Sequence, residues 1–172
     1  EDIQIVVAGP SGSNMNGVLA THEEAIIEAT QELLQLPSVS AKTMRSVWAS
    51  FRAWRAAMPT ESDEAPNDAD EYVASLMRFL DAVPVFRNDC QFDAGGGVVR
   101  SRFHAQHVDL PTSPAREAAL HAVRDLTSMW SQTLSLDAFA YGNAYLLWSA
   151  YEVVWEETVM SLATACTAVL VV

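Results

Sequence analysis

The side chains that could do chemistry in this chain stand at spacings that do not assemble a reactive centre. His104 and His107 are separated by Ala105-Gln106 in a segment of β-type composition. Three apart on a strand they face opposite ways and cannot share a metal ion. His121 falls in a separate, helical stretch. Asp89, Gln91 and Asp93 alternate like the first ligands of a calcium loop. Counted from Asp89, however, Ala94 occupies the place of the sharp-turn glycine and Arg100 that of the bidentate glutamate. Gly95-Gly96-Gly97 offers flexible backbone of the kind that cradles phosphate, but no Lys-Ser/Thr pair follows and no helix opens after it. There is no Gly-x-Ser-x-Gly elbow, and neither Cys90 nor Cys166 has an activating neighbour. Cys90 lies in a polar stretch and Cys166 in the most apolar one, so the two are not expected to pair. The expectation is therefore a non-enzyme with no catalytic residue, no bound cofactor and no metal ligand.

Charge narrows the partners. The chain carries 22 acidic and 10 basic residues, a net charge of −12, and Lys42 is its only lysine. Nucleic acid needs lysine and arginine against its phosphates, so it is excluded as a partner class. Electrostatic attachment to anionic lipid headgroups is disfavoured for the same reason. A length of 172 residues fits one domain with a sizeable core.

The elements that must position these residues read as a mixed α/β order. Ile3 to Ala8 is a strand closed by Gly9-Pro10, and Ser11 to Gly17 a loop. Thr21 opens a helix, with Glu24 in place for a capping box and Pro37 as the stop. A second helix carries Met44, Val47, Trp48, Phe51, Trp54 and Met58 at three- and four-residue steps, a stripe expected in the core rather than in a ligand groove. Pro59 to Asp70 is an acidic loop. A third helix buries Tyr72, Val73, Leu76, Met77, Leu80 and Val83. Two β-type runs, Cys90–Asp93 and Val98–His107, flank the glycines as a hairpin. Ser113 then caps a helix with Pro114 in its first turn, and Ala138 to Tyr141 is a last short strand.

The C-terminal segment changes character. Ala144 to Trp155 has helical period and carries Tyr145, Trp148, Tyr151 and Trp155. Trp148, Tyr151 and Trp155 are amphipathic aromatics suited to a lipid–water boundary and are the expected membrane-interface residues. Glu156 and Glu157 mark the water side, and no charge follows Thr158. That apolar run is shorter than the roughly 20 residues a span needs. It is expected to be the beginning of a transmembrane helix; a buried C-terminal helix is the alternative. The organisation is thus residues 1–143 as an extramembrane α/β domain, 144–157 as an amphipathic interfacial helix and 158–172 as the start of a span.

Five segments, in order, resemble the second large extramembrane domain of the Patched/Niemann–Pick type C transporters of the resistance-nodulation-division superfamily. Ile3-Gln4-Ile5-Val6-Val7 is similar to the family's first strand. Ser46 to Trp54 is similar to its Ser-Trp…Phe-x-x-Trp helix, with Val47 at the place of the first Trp. Leu76-Met77-Arg78-Phe79-Leu80 resembles the stretch before the hairpin, and Val99 to His104 the strand carrying Ser-Arg-Phe. Phe139 to Tyr151 resembles the aromatic run entering the next span, with Ala140 for its Pro and Ser149 for its Glu. The animal members' several disulfides cannot be formed by two cysteines. The resemblance implies a ferredoxin-like α+β sandwich with a small antiparallel sheet. It also implies a place on the non-cytosolic side of a membrane, contact with lipid and with other parts of a larger membrane protein, and a role in passing an apolar ligand such as a lipid or sterol. The alternative is a truncated relative serving as a structural accessory subunit of a respiratory or photosynthetic membrane assembly.

Overall fold

A computed structural model of the chain describes residues 1–58 and 68–171, apart from the side chains of residues 11, 151, 152, 156 and 169–171. The fold is mixed α/β: β1 (Asp2–Ala8), α1 (Asn16–Gln35), α2 (Val47–Ala57), α3 (Ala69–Ala82), β2 (Cys90–Phe92), β3 (Val98–Gln106), α4 (Ser113–Leu134), β4 (Asp137–Tyr141) and α5 (Asn143–Val171). The strands form one antiparallel sheet in the order β2-β3-β1-β4. The register sets Ile5 opposite Phe103 and Ala140, and Val6 opposite Arg102 and Phe139.

Alternation decides which face is covered. Ile3, Ile5 and Val7 of β1, and Ser101, Phe103 and Ala105 of β3, are buried, while their neighbours Gln4, Val6, Arg100, Arg102 and His104 face the other way. The helices cover the first set. The α2 stripe supplies Val47, Trp48 and Phe51 to this core; Met44 and Trp54 pack at its margin, half-buried, and Met58, expected in the core, is exposed just past the end of α2. Phe51 meets Tyr72 edge-on at 5.4 Å and Phe79 at 5.5 Å, an aromatic joint between α2 and α3. The indole N–H of Trp48 donates to Ser101 Oγ (3.0 Å), which settles the two polar groups of that packed layer.

Three local expectations are corrected. Thr21 does not cap a helix. α1 begins at Asn16, because Met15 N–H donates to Val98 O (2.7 Å) and Asn16 Oδ1 accepts from Val98 N–H (2.8 Å), so the hairpin nucleates it. The Thr21 hydroxyl instead returns to Gly17 O, next to a kink at His22. Thr112, not Ser113, caps α4, accepting from Ala115 N–H. On α3, Met77 is exposed, and Phe79 takes the buried place expected for it. The hairpin turn is held by Asp93, whose Oδ1 accepts from Gly95 and Gly97 N–H at 2.8 Å, with Gly96 in the left-handed region. The expected acidic loop falls largely on residues 59–67, outside the described ones.

Candidate functional site

Two places gather the chain's polar and aromatic chemistry. The first is centred on Asp89, at the end of a short 3-10 turn (Pro84–Asp89) leading into β2. Its carboxylate is almost wholly buried and accepts from Arg45 Nη2 (3.1 Å) and Arg102 Nε (2.9 Å), with His104 Nε2 2.8 Å away. Arg45 is brought there by a β-bridge to His104 just before α2. One buried acid thereby ties the entry of α2, the turn before β2 and the middle of β3 together. The neighbouring Cys90 thiol is pushed up to about 12 by burial and by the adjacent Asp89 charge, the opposite of an activated nucleophile. Asp89 and Asp93, which sequence spacing sets together, serve different ends: a charge network and a turn. Among the described residues no cluster of three or more His, Cys, Asp or Glu side chains is arranged to hold a metal ion.

The second place is the root of α5. Gly142 lets the chain turn there, since a Cβ would lie 2.8 Å from the Asp2 carbonyl oxygen. One helical turn on, Tyr145 and Trp148 pack onto His107 with ring centroids 5.3–5.6 Å apart. His107 is buried; its Nδ1 lies 2.9 Å from Ser38 O and its Nε2 2.8 Å from Tyr145 Oη. A carbonyl only accepts, so Nδ1 carries the proton and Nε2 accepts from the tyrosine hydroxyl. Burial lowers the His107 pKa and raises that of Tyr145, so both are neutral partners in this bond. Arg124 Nη2 donates to Ser149 Oγ (2.8 Å) and fixes α4 beside the same stretch.

Beyond that root α5 runs bare. Every described side chain from Val153 to Ala168 is exposed, and Trp155 reaches 71%. Much of the exposure is apolar: Val154, Val159, Met160 and Leu162 are all open on the helix, while Glu157, Ser161 and Thr164 lie at i, i+4 and i+7 on one face. Its threonines close their own hydrogen bonds, Thr158 to Val154 O, Thr164 to Met160 O and Thr167 to Ala163 O, at 2.6–2.8 Å. Among the described residues Ser161 makes no such bond. No helix among the described residues is long and apolar enough to cross a membrane.

The three expected interface aromatics part company here. Trp148 is a core residue of the domain, 6% exposed, because it stands one turn from Tyr145 on the face that meets His107. Trp155, two turns further, is the exposed one. The Tyr151 side chain lies outside the described residues. The aromatic run alone does not separate anchor from core; the partner histidine, distant in sequence, does. No known protein-family model matches the chain.

Proposed function

We propose that this chain is a non-catalytic extramembrane domain of a lipid or sterol transporter-like membrane protein, with α5 as the element that leads into the bilayer. The observation that carries the reading is the bare, charge-free second half of α5. A helix with this much apolar surface is stable only where something apolar surrounds it. Its threonine hydroxyls bond back to its own carbonyls, which satisfies them where a solvent offers no hydrogen bonds. The exposed stretch from Val153 to Glu157 then forms the interfacial part, with Trp155 and Glu157 at headgroup level, while Tyr145 and Trp148 stay in the core of the domain, and the helix from Thr158 onward is the start of the span.

The sheet order supports the ferredoxin-like assignment. Read from the other edge, β4-β1-β3-β2 with antiparallel neighbours is the arrangement of a β-α-β-β-α-β unit, here with α2 and α3 inserted in its first crossover. A non-catalytic role is supported by the reactive side chains themselves. Asp89 and His107 are tied into structural bonds, and the Cys90 thiol is held protonated. The step from such a domain to the passage of an apolar ligand rests on the family resemblance. The domain would then stand on the non-cytosolic side.

The test uses Cys166, which is exposed on α5. The chain is reconstituted into uncharged phosphatidylcholine vesicles and treated with a charged, membrane-impermeant thiol reagent, and the labelled peptide is mapped to separate Cys166 from Cys90. The expected result is protection of Cys166 that detergent removes. Equal labelling with and without vesicles would overturn the membrane reading. The size of the native polypeptide on a denaturing gel separates the transporter from an accessory subunit: the former requires a mass far above 18.8 kDa.

A further inference from the structure

We propose that the uncovered face of the sheet is a docking surface for a second protein domain, one that presents a carboxylate beside an apolar side chain. The inference does not depend on where α5 resides. The helices cover one face of the sheet only. The other carries Val6 on β1, Arg100 and Arg102 on β3, and Phe139 and Tyr141 on β4, the two aromatic rings 49% and 47% exposed. A trough of about 230 Å³ crosses this face, with Asn88 and Gln91 on one side and Phe139 on the other.

Charge fixes the partner's chemistry. In a chain of net charge −12, this face holds two arginines two residues apart on one strand, against one exposed acid, Asp137 of β4, which stands across Ala8 from Arg100 and makes no ion pair among the described residues. Arg100 is exposed and has no hydrogen bond or ion pair among the described residues. Arg102 spends only its Nε on Asp89, so its two terminal nitrogens are free to receive an acceptor. Guanidinium groups with unspent terminal nitrogens suit a carboxylate. Val6 and Phe139 stand beside Arg102 in the register and supply the apolar half of the contact.

The other occupants fit less well. The trough is smaller and more open than the enclosed cavities, of several hundred Å³, that hold small ligands. Two arginines in a strongly acidic chain do not make a nucleic-acid surface. Copies of a chain carrying −12 repel one another. Exposed arginine, tyrosine and phenylalanine are instead the residue types that dominate protein interfaces. At the β4 edge Ser131 of α4 already binds Ala138, accepting from its N–H at 2.9 Å, which takes up one position for an added strand there.

The test titrates the isotope-labelled full chain, in detergent, with a capped pentapeptide of sequence Val-Glu-Phe-Glu-Val and follows backbone amide shifts. The expected result is shifts confined to β1, β3 and β4, about tenfold weaker binding of the Val-Gln-Phe-Gln-Val peptide, and a similar loss in Arg100→Ala. Arg100 supports no other described residue, so that variant keeps its fold, visible in unchanged amide shifts around Asp89. Arg100→Glu should reverse the preference toward Val-Lys-Phe-Lys-Val. Absence of binding, or equal binding of the acidic and amide peptides, overturns the proposal. So does tighter binding of a single-stranded oligonucleotide on the same amides, or concentration-dependent shifts of this face without peptide, which would assign it to a second copy.

Discussion

Asp89 concentrates more of the fold in one side chain than any other residue described. Its carboxylate is buried among Arg45, Arg102 and His104, while those partners are a quarter to two-fifths exposed. Removing the acid leaves two guanidinium groups that water can partly reclaim, so the cost falls at the lower end of that for a broken buried pair. Asp89→Ala should lose about 3 kcal/mol in chemical denaturation, with Asp89→Asn losing less because the amide oxygen still accepts. Equal stability of Asp89→Ala and the wild type would show that the network is ornamental. His107 gives the second residue-scale prediction. Its neighbours include the Ser38 carbonyl, the Tyr145 hydroxyl and Glu1, and burial outweighs the raising influence of Ser38 and Glu1 to lower its pKa. The native state therefore refuses a proton that the unfolded chain accepts below about pH 6.5. The stabilisation is complete above that pH and drains away as the pH falls below it. His107→Asn should flatten the fall in unfolding free energy as the pH drops below about 6.5; an unchanged slope in the variant would place the response elsewhere.

At the scale of the element, α2 shows how far a periodic stripe can be trusted. Phe51→Ala should cost about 3–5 kcal/mol, since the ring is fully buried between Tyr72 and Phe79. Trp54→Ala should cost less than half of that by the same denaturation measurement, because the indole sits at the core margin. The stripe, the β-branched first strand and the glycine hairpin are legible because local pattern fixes them. Three- and four-residue steps predict a buried face without knowing what lies opposite. The start of α1 is not legible, because Val98, far along the chain, supplies its bonds. The Asp89 cluster is hidden for the same reason. Asp89 sits in a polar run that looks solvated, and Arg45 reaches it only through the bridge to His104. Trp148 and Trp155 illustrate the limit most directly: both belong to one aromatic period, yet one has His107 against it and the other has nothing described.

On the scale of the whole molecule, the chain divides into a packed sheet-and-helix body and a bare helical extension that shares no described contact with the core. The hydrophobic cluster ends at Trp148, and Arg124 makes the last described side-chain tie to α5 at Ser149. Stability of the body and attachment to lipid should therefore be separable properties. Leu162→Asp combined with Ala165→Asp places two charges where α5 is expected to be in hydrocarbon, at a cost of roughly 2.5–3.5 kcal/mol each near a span's centre and less near its edge. Both positions are exposed, so neither substitution disturbs the packed body. The double variant should lose co-flotation with phosphatidylcholine vesicles and keep the wild-type denaturation midpoint of the body, read from the near-ultraviolet signal of Trp48 and Trp130 in the core. If the midpoint drops together with the flotation, α5 is part of the core, and the extension packs on the domain rather than on lipid. If flotation survives both charges, attachment runs through another surface of the molecule. Only the combination of lost flotation and an unmoved midpoint fits a domain that is complete without the exposed part of α5 and held at a membrane by it.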